Sequence, residues 1–418
     1  MNVTTVSRTE RIASSHGAWL AVAMALFLLT ILRGIRMPSD WAFSHFLFAY
    51  DEGFVKRGLL GEIVRRVDIP FLASYEFFAV ISGSLLLAVL SLLALTVRDL
   101  IRRGTVASIG IALLFVTSTG VVFLAHLIGY SDVIGLLIVL IALRIGRFRS
   151  RLLFLFPAIT FLLLVHEASL ILFCPLLLLT LVIDRDGLAR SSRIWWAAGL
   201  GAWAAAVTIV VSGSTIDLAA ADAMYRDRQE ASRVPLRPDA FEVLGRSVDD
   251  NRAIMVEVYG QTKRFVGMID SFLVTIPLVV LFLYVAVRLL RRSARRRVMI
   301  PLLLGAAISP LAMHLLGWDM HRWNALMVIT SYLVLHVAMR ASTEKIDLPD
   351  RLVPIGVLLL ALNGMSALPL FDDYKVRQFP FIEEQMEWNK SNPMSSGAGL
   401  PSLRHDSRST RRRYVPFS

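Results

Sequence analysis

Apolar runs of about 15 to 25 residues, separated by short arginine-rich stretches, recur along the chain. No other feature restricts the fold so strongly. A run of that length crosses the roughly 30 Å hydrocarbon core of a bilayer as a helix, and there every backbone N–H and C=O must be satisfied internally. The runs are continuous and do not alternate, which excludes a transmembrane β-barrel. Only 18% of residues are charged, against about 25% in soluble domains. The sequence therefore predicts an all-α, polytopic helical membrane protein.

The placement of charge then sets the topology. A net charge of +12 is compatible with nucleic-acid binding, but the arginines sit in short loops between runs, where the positive-inside rule collects them. The expected partner is the lipid bilayer, with no nucleic acid. Arg8 and Arg11 precede the first run, and no small-residue cleavage site follows it; it reads as a retained span with the N-terminus in the cytoplasm. Further spans fall near 71–97, 106–127 and 133–143. The block 152–183 is either one tilted helix or a hairpin turning at His166-Glu167. Only the hairpin leaves Arg291, Arg292, Arg295, Arg296 and Arg297 on the same side as Arg144 to Arg151, so the hairpin is favoured. Spans near 194–212, 267–290, 299–316, 325–340 and 352–370 bring the total to about eleven. This gives a transmembrane helical domain over 1–370, with outer loops at 34–70 and 213–266. A polar C-terminal tail, 371–418, lies outside, and its last dozen residues are expected to be disordered. The one cysteine, Cys174, lies inside an apolar run, so no internal disulfide is possible.

The first outer loop contains Tyr50 to Gly61, YDEGFVKRGLLG, with two acids, two bases and glycines in twelve residues. Beyond it, Leu59, Leu60, Ile63, Val64 and Val67 share one helical face, while Arg57, Glu62, Arg65 and Arg66 fall largely on the other. That is an amphipathic helix suited to the headgroup layer, and its basic residues, with Lys56, would grip lipid phosphates. Gly53 to Gly58 is not a phosphate loop, because no Gly-Lys-Ser/Thr follows a strand.

Ionisable residues in or beside the spans are few: Glu76, His126, Asp132, His166, Glu167, Asp270, His314, Asp319, His321 and Arg322. In this topology all lie near the outer ends, level with Asp51, Glu52, Lys56 and Arg57. Charge at such depth needs partners or a polar cavity, so their common level predicts one polar cleft assembled from several loops. A transporter would instead carry coupling charges or broken helices near the bilayer middle. Structural alternatives stand beside the functional ones. Asp132 is either an N-cap or a site residue. Asp319 to Arg322 forms a local salt bridge or joins the site, with Trp318 and Trp323 as interfacial anchors. Glu76 and Asp270 read as structural, and the spacing of His126, His314 and His321 matches no metal motif. A turn between short membrane helices has no structural need for His166-Glu167, so that pair reads as functional.

These features resemble the GT-C superfamily of membrane glycosyltransferases, which have many spans, a long first outer loop with amphipathic helices and an essential acid in it. GFVKRGLLG, an embedded His-Glu and a later Trp-Asp-x-x-Arg-Trp also look like those of a group of bacterial membrane proteins. The sequence departs from the superfamily in lacking a large outer domain after the last span, so acceptor recognition stays open. The resemblance implies an inverting glycosyltransferase on the outer face of the bacterial cytoplasmic (inner) membrane. It would move sugar from a polyprenyl-(pyro)phosphate donor to an envelope glycan, lipid or protein acceptor. Asp51, with Glu52 as substitute, would be the base. Lys56, Arg57 and Arg322 would meet the donor phosphate. Asp132, His166, Glu167, Asp319 and Trp318 would bind or orient substrate. No cofactor or metal is required, and a divalent ion would need Asp51, Glu167 and Asp319 to converge. The alternatives are a polymerase or ligase of lipid-linked glycans, dependent on Arg226, Arg228 or Arg233, and a non-enzymatic transporter or envelope assembly protein.

Overall fold

The computed structural model describes residues 16–377 apart from 52, 184–190, 260–261, 292–295, 318, 345, 347–348, 350–351, 366–369 and 371–375. Glu52, Trp318 and the tail beyond Arg377 therefore lie outside the described residues, as do four of the arginines that orient the chain, Arg8, Arg11, Arg292 and Arg295. The first helix, α1 (His16–Gly34), leads to an extra-bundle loop with α2 (Asp40–Phe46) and α3 (Leu59–Val67). Then come α4 (Tyr75–Ile101), α5 (Val106–Val116), α6 (Thr119–His126), α7 (Ser131–Arg144), α8 (Phe148–Val165) and the short α9 (Ser169–Leu172) and α10 (Cys174–Val182). Helix α11 (Ser191–Ser212) opens on a second extra-bundle segment holding α12 (Leu218–Ala231), α13 (Pro238–Glu242) and α14 (Val248–Tyr259). The bundle closes with α15 (Thr262–Leu290), α16 (Arg296–Ile308), α17 (Met320–Ala341) and α18 (Val353–Met365). No strand occurs among the described residues.

Eight segments of the described chain are long and apolar enough to cross a bilayer, with α5 and α6 counted as one and α16 extended to Leu315. Three of the eleven expected spans are shorter: α7 has 14 residues, α9 and α10 together cover Ser169–Val182, and α18 has 13. The eight differ in burial. Helix α17 is enclosed along nearly its whole length and the α5–α6 span along most of it, whereas the other six leave large faces open. Helix α17 is also the least apolar of them and carries Arg322, Asn324, Thr330, Ser331, Tyr332 and His336, all buried. Lipid contact selects for apolar surface, so the helix most shielded from lipid is the one freest to hold polar groups.

Local signals set the helix starts. The hydroxyl of Ser74 accepts from the Phe77 N–H at 3.2 Å and caps α4. Thr105 and Ser108 form a reciprocal capping box at α5. The third span is interrupted: α5 ends at Thr117, whose hydroxyl donates to the Leu113 carbonyl at 2.9 Å, and α6 restarts after Ser118. In α6 a Cβ on Gly120 would lie 3.2 Å from the Ala325 carbonyl oxygen, so glycine permits close approach to α17.

A second apolar core lies outside the bundle. Phe43, Phe46, Leu47 and Phe48 of the first loop pack with Met224, Leu236, Phe241 and Leu244 of the second segment. Phe48 meets Phe241 edge-on at 5.0 Å between centroids. Polar contacts pin the same joint: the Arg237 N–H donates to Ser44 Oγ at 2.9 Å, and Lys56 Nζ donates to the Arg246 carbonyl at 2.5 Å. The two extra-bundle segments thus fold together as a cap over one end of the bundle. At the opposite helix ends lie Arg98, Arg103, Arg144, Arg151 and Arg340, with Arg144 paired to Asp99 at 3.0 Å.

Candidate functional site

A cavity of about 310 Å³ lies between cap and bundle. Its charged and imidazole groups come with polar neighbours from five places: His45 on α2, Arg57 in the first loop, Tyr130 and Ser131 at the start of α7, His166 and Glu167 in the hairpin, and Asp319 and Arg322 at the start of α17; Ser82, Thr208, Ser212 and Asn251 add neutral polar groups. Its apolar wall is formed by Ile81 and Leu85 of α4, Ile134 of α7 and Ile171 of α9. Leu85 lies ten residues into α4, about 15 Å along the axis at 1.5 Å per residue, and Ile81 is exposed on the bundle surface. The cavity therefore runs from a charged roof to an apolar side that meets the bundle exterior.

The segment Tyr50 to Gly61 is shaped to deliver Arg57. Gly53 has φ +109°, and a Cβ on Gly58 would lie 2.4 Å from the Tyr50 ring. A Cβ on Gly61 would lie 2.1 Å from the Phe48 carbonyl oxygen, so α3 rests directly on the backbone of the preceding turn. Arg57 itself has φ +64°, a region costly for any residue with a Cβ. The conformation is held by a two-pronged pair: Arg57 Nη2 and Nε lie 2.5 Å and 3.1 Å from Glu167 Oε1, and Nε lies 3.0 Å from Oε2. Glu167 is positioned in turn by the end of α8, where the His166 backbone leaves helical geometry. Burial would raise the Glu167 carboxyl, but Arg57 and His166 outweigh it and hold the group well below the usual carboxylate range.

The second charged group centres on Arg322. Its Nη2 donates to Asp132 Oδ2 at 2.6 Å and its Nη1 to Asp319 Oδ2 at 3.2 Å, while the guanidinium lies over the Tyr130 and Trp323 rings at 5.3 Å and 4.6 Å. Asp132 is therefore not the N-cap of its helix; Tyr130 holds that position, and the acid points at α17 from the first turn. Asp132 is buried beneath the cavity and does not line it.

Two imidazoles complete the walls. Burial, then Arg57, pushes His166 down to about 3, and its Nδ1 accepts from the Ala168 N–H at 3.2 Å, leaving the proton on Nε2. Burial, then Arg57 and His166, holds His45 well below the ordinary histidine value, and its Nε2 is buried with no hydrogen-bond partner among the described residues. His45 is the site residue that sequence reasoning missed. It sits in a seven-residue helix within a loop, where no periodicity separates it from its neighbours.

Several expected site residues stand elsewhere. Asp51 pairs with Arg65 at 3.1 Å and with Arg228 of α12, and does not line the cavity. Lys56 staples the cap through the Arg246 carbonyl and is also absent from the lining; burial, then Arg57, lowers its ammonium to about 8. Glu62 turns inward under Tyr50 and clamps Arg65 and Arg66 at 2.7 Å and 2.6 Å, which holds its carboxyl at about 2. Glu76 and Asp270 are exposed. His314 faces Asn324 at 3.0 Å, and His126 Nδ1 lies 3.2 Å from the Gly34 carbonyl. Among the described residues no three His, Cys, Asp or Glu side chains converge as a metal site, so Asp51, Glu167 and Asp319 do not form one. Comparison with families of known proteins, with curated proteins and with solved structures yields no match.

Proposed function

We propose that this chain is a GT-C-like membrane glycosyltransferase with eleven spans and its cap on the outer side of the bacterial cytoplasmic membrane. It transfers sugar from a polyprenyl-(pyro)phosphate donor to an envelope glycan, lipid or protein acceptor. The observation that carries the reading is the two-sided cavity. Guanidinium and imidazole groups of Arg57, Arg322, His45 and His166 form one wall, and Ile81, Leu85, Ile134 and Ile171 form the other, leading to the bilayer-facing surface. A phosphate on an apolar tail is the ligand that needs both.

In the reaction the acceptor oxygen attacks the anomeric carbon, the bond from that carbon to the lipid phosphate oxygen breaks, and the electron pair leaves with the phosphate. The acceptor proton passes to a carboxylate, and fixed cations stabilise the charge gathering on the leaving group. Glu167 is held by Arg57 through two prongs at 2.5 to 3.1 Å, whereas Asp319 meets Arg322, itself shared with Asp132, at 3.2 Å. Asp319 is thus the more readily released carboxylate of the lining and the one to take the proton. Asp51 would first have to leave Arg65 and Arg228.

The test is sugar transfer from a lipid-linked donor by purified protein. Asp319→Asn should lower turnover about a hundredfold or more, with Asp51→Asn retaining most of it. The reverse order would restore Asp51 as the base, and no transfer with any lipid-linked donor would reject the enzyme. One feature favours a transporter: the break at Thr117-Ser118, where Ser118 Oγ and Thr119 Oγ1 are buried without partners among the described residues. Vesicle flux without sugar transfer decides for it.

A further inference from the structure

The cavity has too little positive charge for the ligand its shape suits. Its two guanidiniums face three carboxylates, Glu167 on Arg57 and Asp132 and Asp319 on Arg322. Lys56, a further cation of the same loop, is turned to the Arg246 carbonyl. Both arginines are thus internally neutralised, and a phosphate brought in from water would meet an excess of negative charge. The two groups able to correct this are the imidazoles. His45 presents a buried nitrogen without a hydrogen-bond partner among the described residues. The Nδ1 of His166 is occupied by a backbone N–H, so Nε2 remains for the cavity.

We infer that His45 and His166 are the anion-binding groups of this cavity, and that a phosphate ester binds there together with protons taken up by these two side chains. The inference rests on the lipid-phosphate reading above and adds how the charge is met. In the empty site, burial and the flanking Arg57 and Arg322 hold both rings below the ordinary histidine value, helped at His166 by Lys56, with Glu167 as the opposing influence. A bound phosphate supplies the missing negative partner and raises both ring pKa values. Binding is then tightest at low pH and weakens as pH rises through the raised values. Each proton taken up corresponds to about a tenfold fall in affinity per pH unit. Two neutral histidines in place of two more arginines also let the phosphate leave again once the protons are released, which a carrier recycled after each turnover requires.

The experiment is calorimetric titration of the full chain in nanodiscs with methyl farnesyl phosphate, a diester that keeps one negative charge at every pH used. Titrations at pH 5.5 to 8 are repeated in buffers of different ionisation enthalpy. The expected result is proton uptake on diester binding that approaches about two per diester at the low end of the range and declines as pH rises, with affinity falling about tenfold per pH unit for each proton taken up. His45→Asn with His166→Asn should abolish both. Diester binding with no proton uptake by the wild-type protein overturns the inference and leaves the lipid-phosphate reading standing. No binding at any pH overturns both. Dimethyl phosphate is the headgroup without a tail: weaker binding with the same proton uptake supports the shared site. Equal affinity for the two ligands removes the lipid from the reading and keeps the protonation.

Discussion

Replacing Glu167 by Gln strips one charge from a pair that the whole cavity roof depends on. Arg57 and Glu167 are two-pronged at 2.5 to 3.1 Å, and their side chains are only 17% and 18% exposed. Removing one partner of a buried pair costs about 3–5 kcal/mol, and a lining open to solvent places this pair at the lower end, about 3 kcal/mol. The amide oxygen of glutamine still accepts one hydrogen bond, which restores about 1 kcal/mol and leaves a net loss of about 2 kcal/mol. Arg57→Gln should cost a similar amount, and the double variant little more than either, a coupling of about 2 kcal/mol. Arg57→Gly should be the milder single change, because glycine tolerates φ +64° at about 1 kcal/mol less strain. The assay is SDS-driven unfolding in mixed micelles across the four-protein cycle. The sign of the pH effect is also fixed. Glu167 is held below its usual range, so its contribution is full above the unfolded value near 4.3 and is lost only as pH falls towards the lower folded one. The coupling should therefore be the same at pH 7 and pH 5. Additivity of the two single changes within about 0.5 kcal/mol, or a coupling that vanishes by pH 5, refutes the argument.

Three further outcomes follow from the cap. Gly61→Ala forces a methyl group to within 2.1 Å of the Phe48 carbonyl and should loosen the cap by about 1–3 kcal/mol. Faster hydrogen exchange confined to the two outer loops would register it, and Gly110→Ala, which meets nothing within 4 Å, is the neutral control. Lys56 has a folded-state pKa lowered to about 8, so the unfolded chain binds the extra proton; cap stability should rise between pH 8 and about 10.4, and Lys56→Met should flatten that rise in a denaturation series. On α3, Ile63 and Val67 are exposed; if that face rests in the headgroup layer, an Ile63→Trp variant should be quenched by lipids brominated near the glycerol and not by an aqueous quencher.

What the sequence disclosed is what is local or periodic. The apolar runs mark the helices, the face of Leu59 to Val67 marks α3, and the charge argument places the turn at His166-Glu167, where α8 ends. What it withheld is pairing between distant parts. Asp132 meets Arg322 across 190 positions, Arg57 meets Glu167 across 110 and Asp51 meets Arg228 across 177. Nothing in a single chain distinguishes an acid that will face a cavity from one that will be claimed by an arginine elsewhere. Asp51 and Lys56 share the layer of Arg57, yet one bridges two helices of the cap and the other fastens its seam. His45 lacked any signal because one histidine among aromatic residues in a short helix is indistinguishable from packing.

The cap also has a consequence in time. Its two halves, residues 34–70 and 213–266, are separated by the hairpin and four other spans, so the first half leaves the ribosome long before the second exists. Until Phe241 and Leu244 arrive, Phe43 and Phe46 have only the start of α4, Tyr75 and Phe78, to pack on, Phe48 lacks its Phe241 partner, and Lys56 has no carbonyl to hold. The half-built protein must therefore shelter a greasy aromatic flap against the lipid surface through most of its synthesis. Roofing of the chamber is a late event, gated by elongation rather than by diffusion.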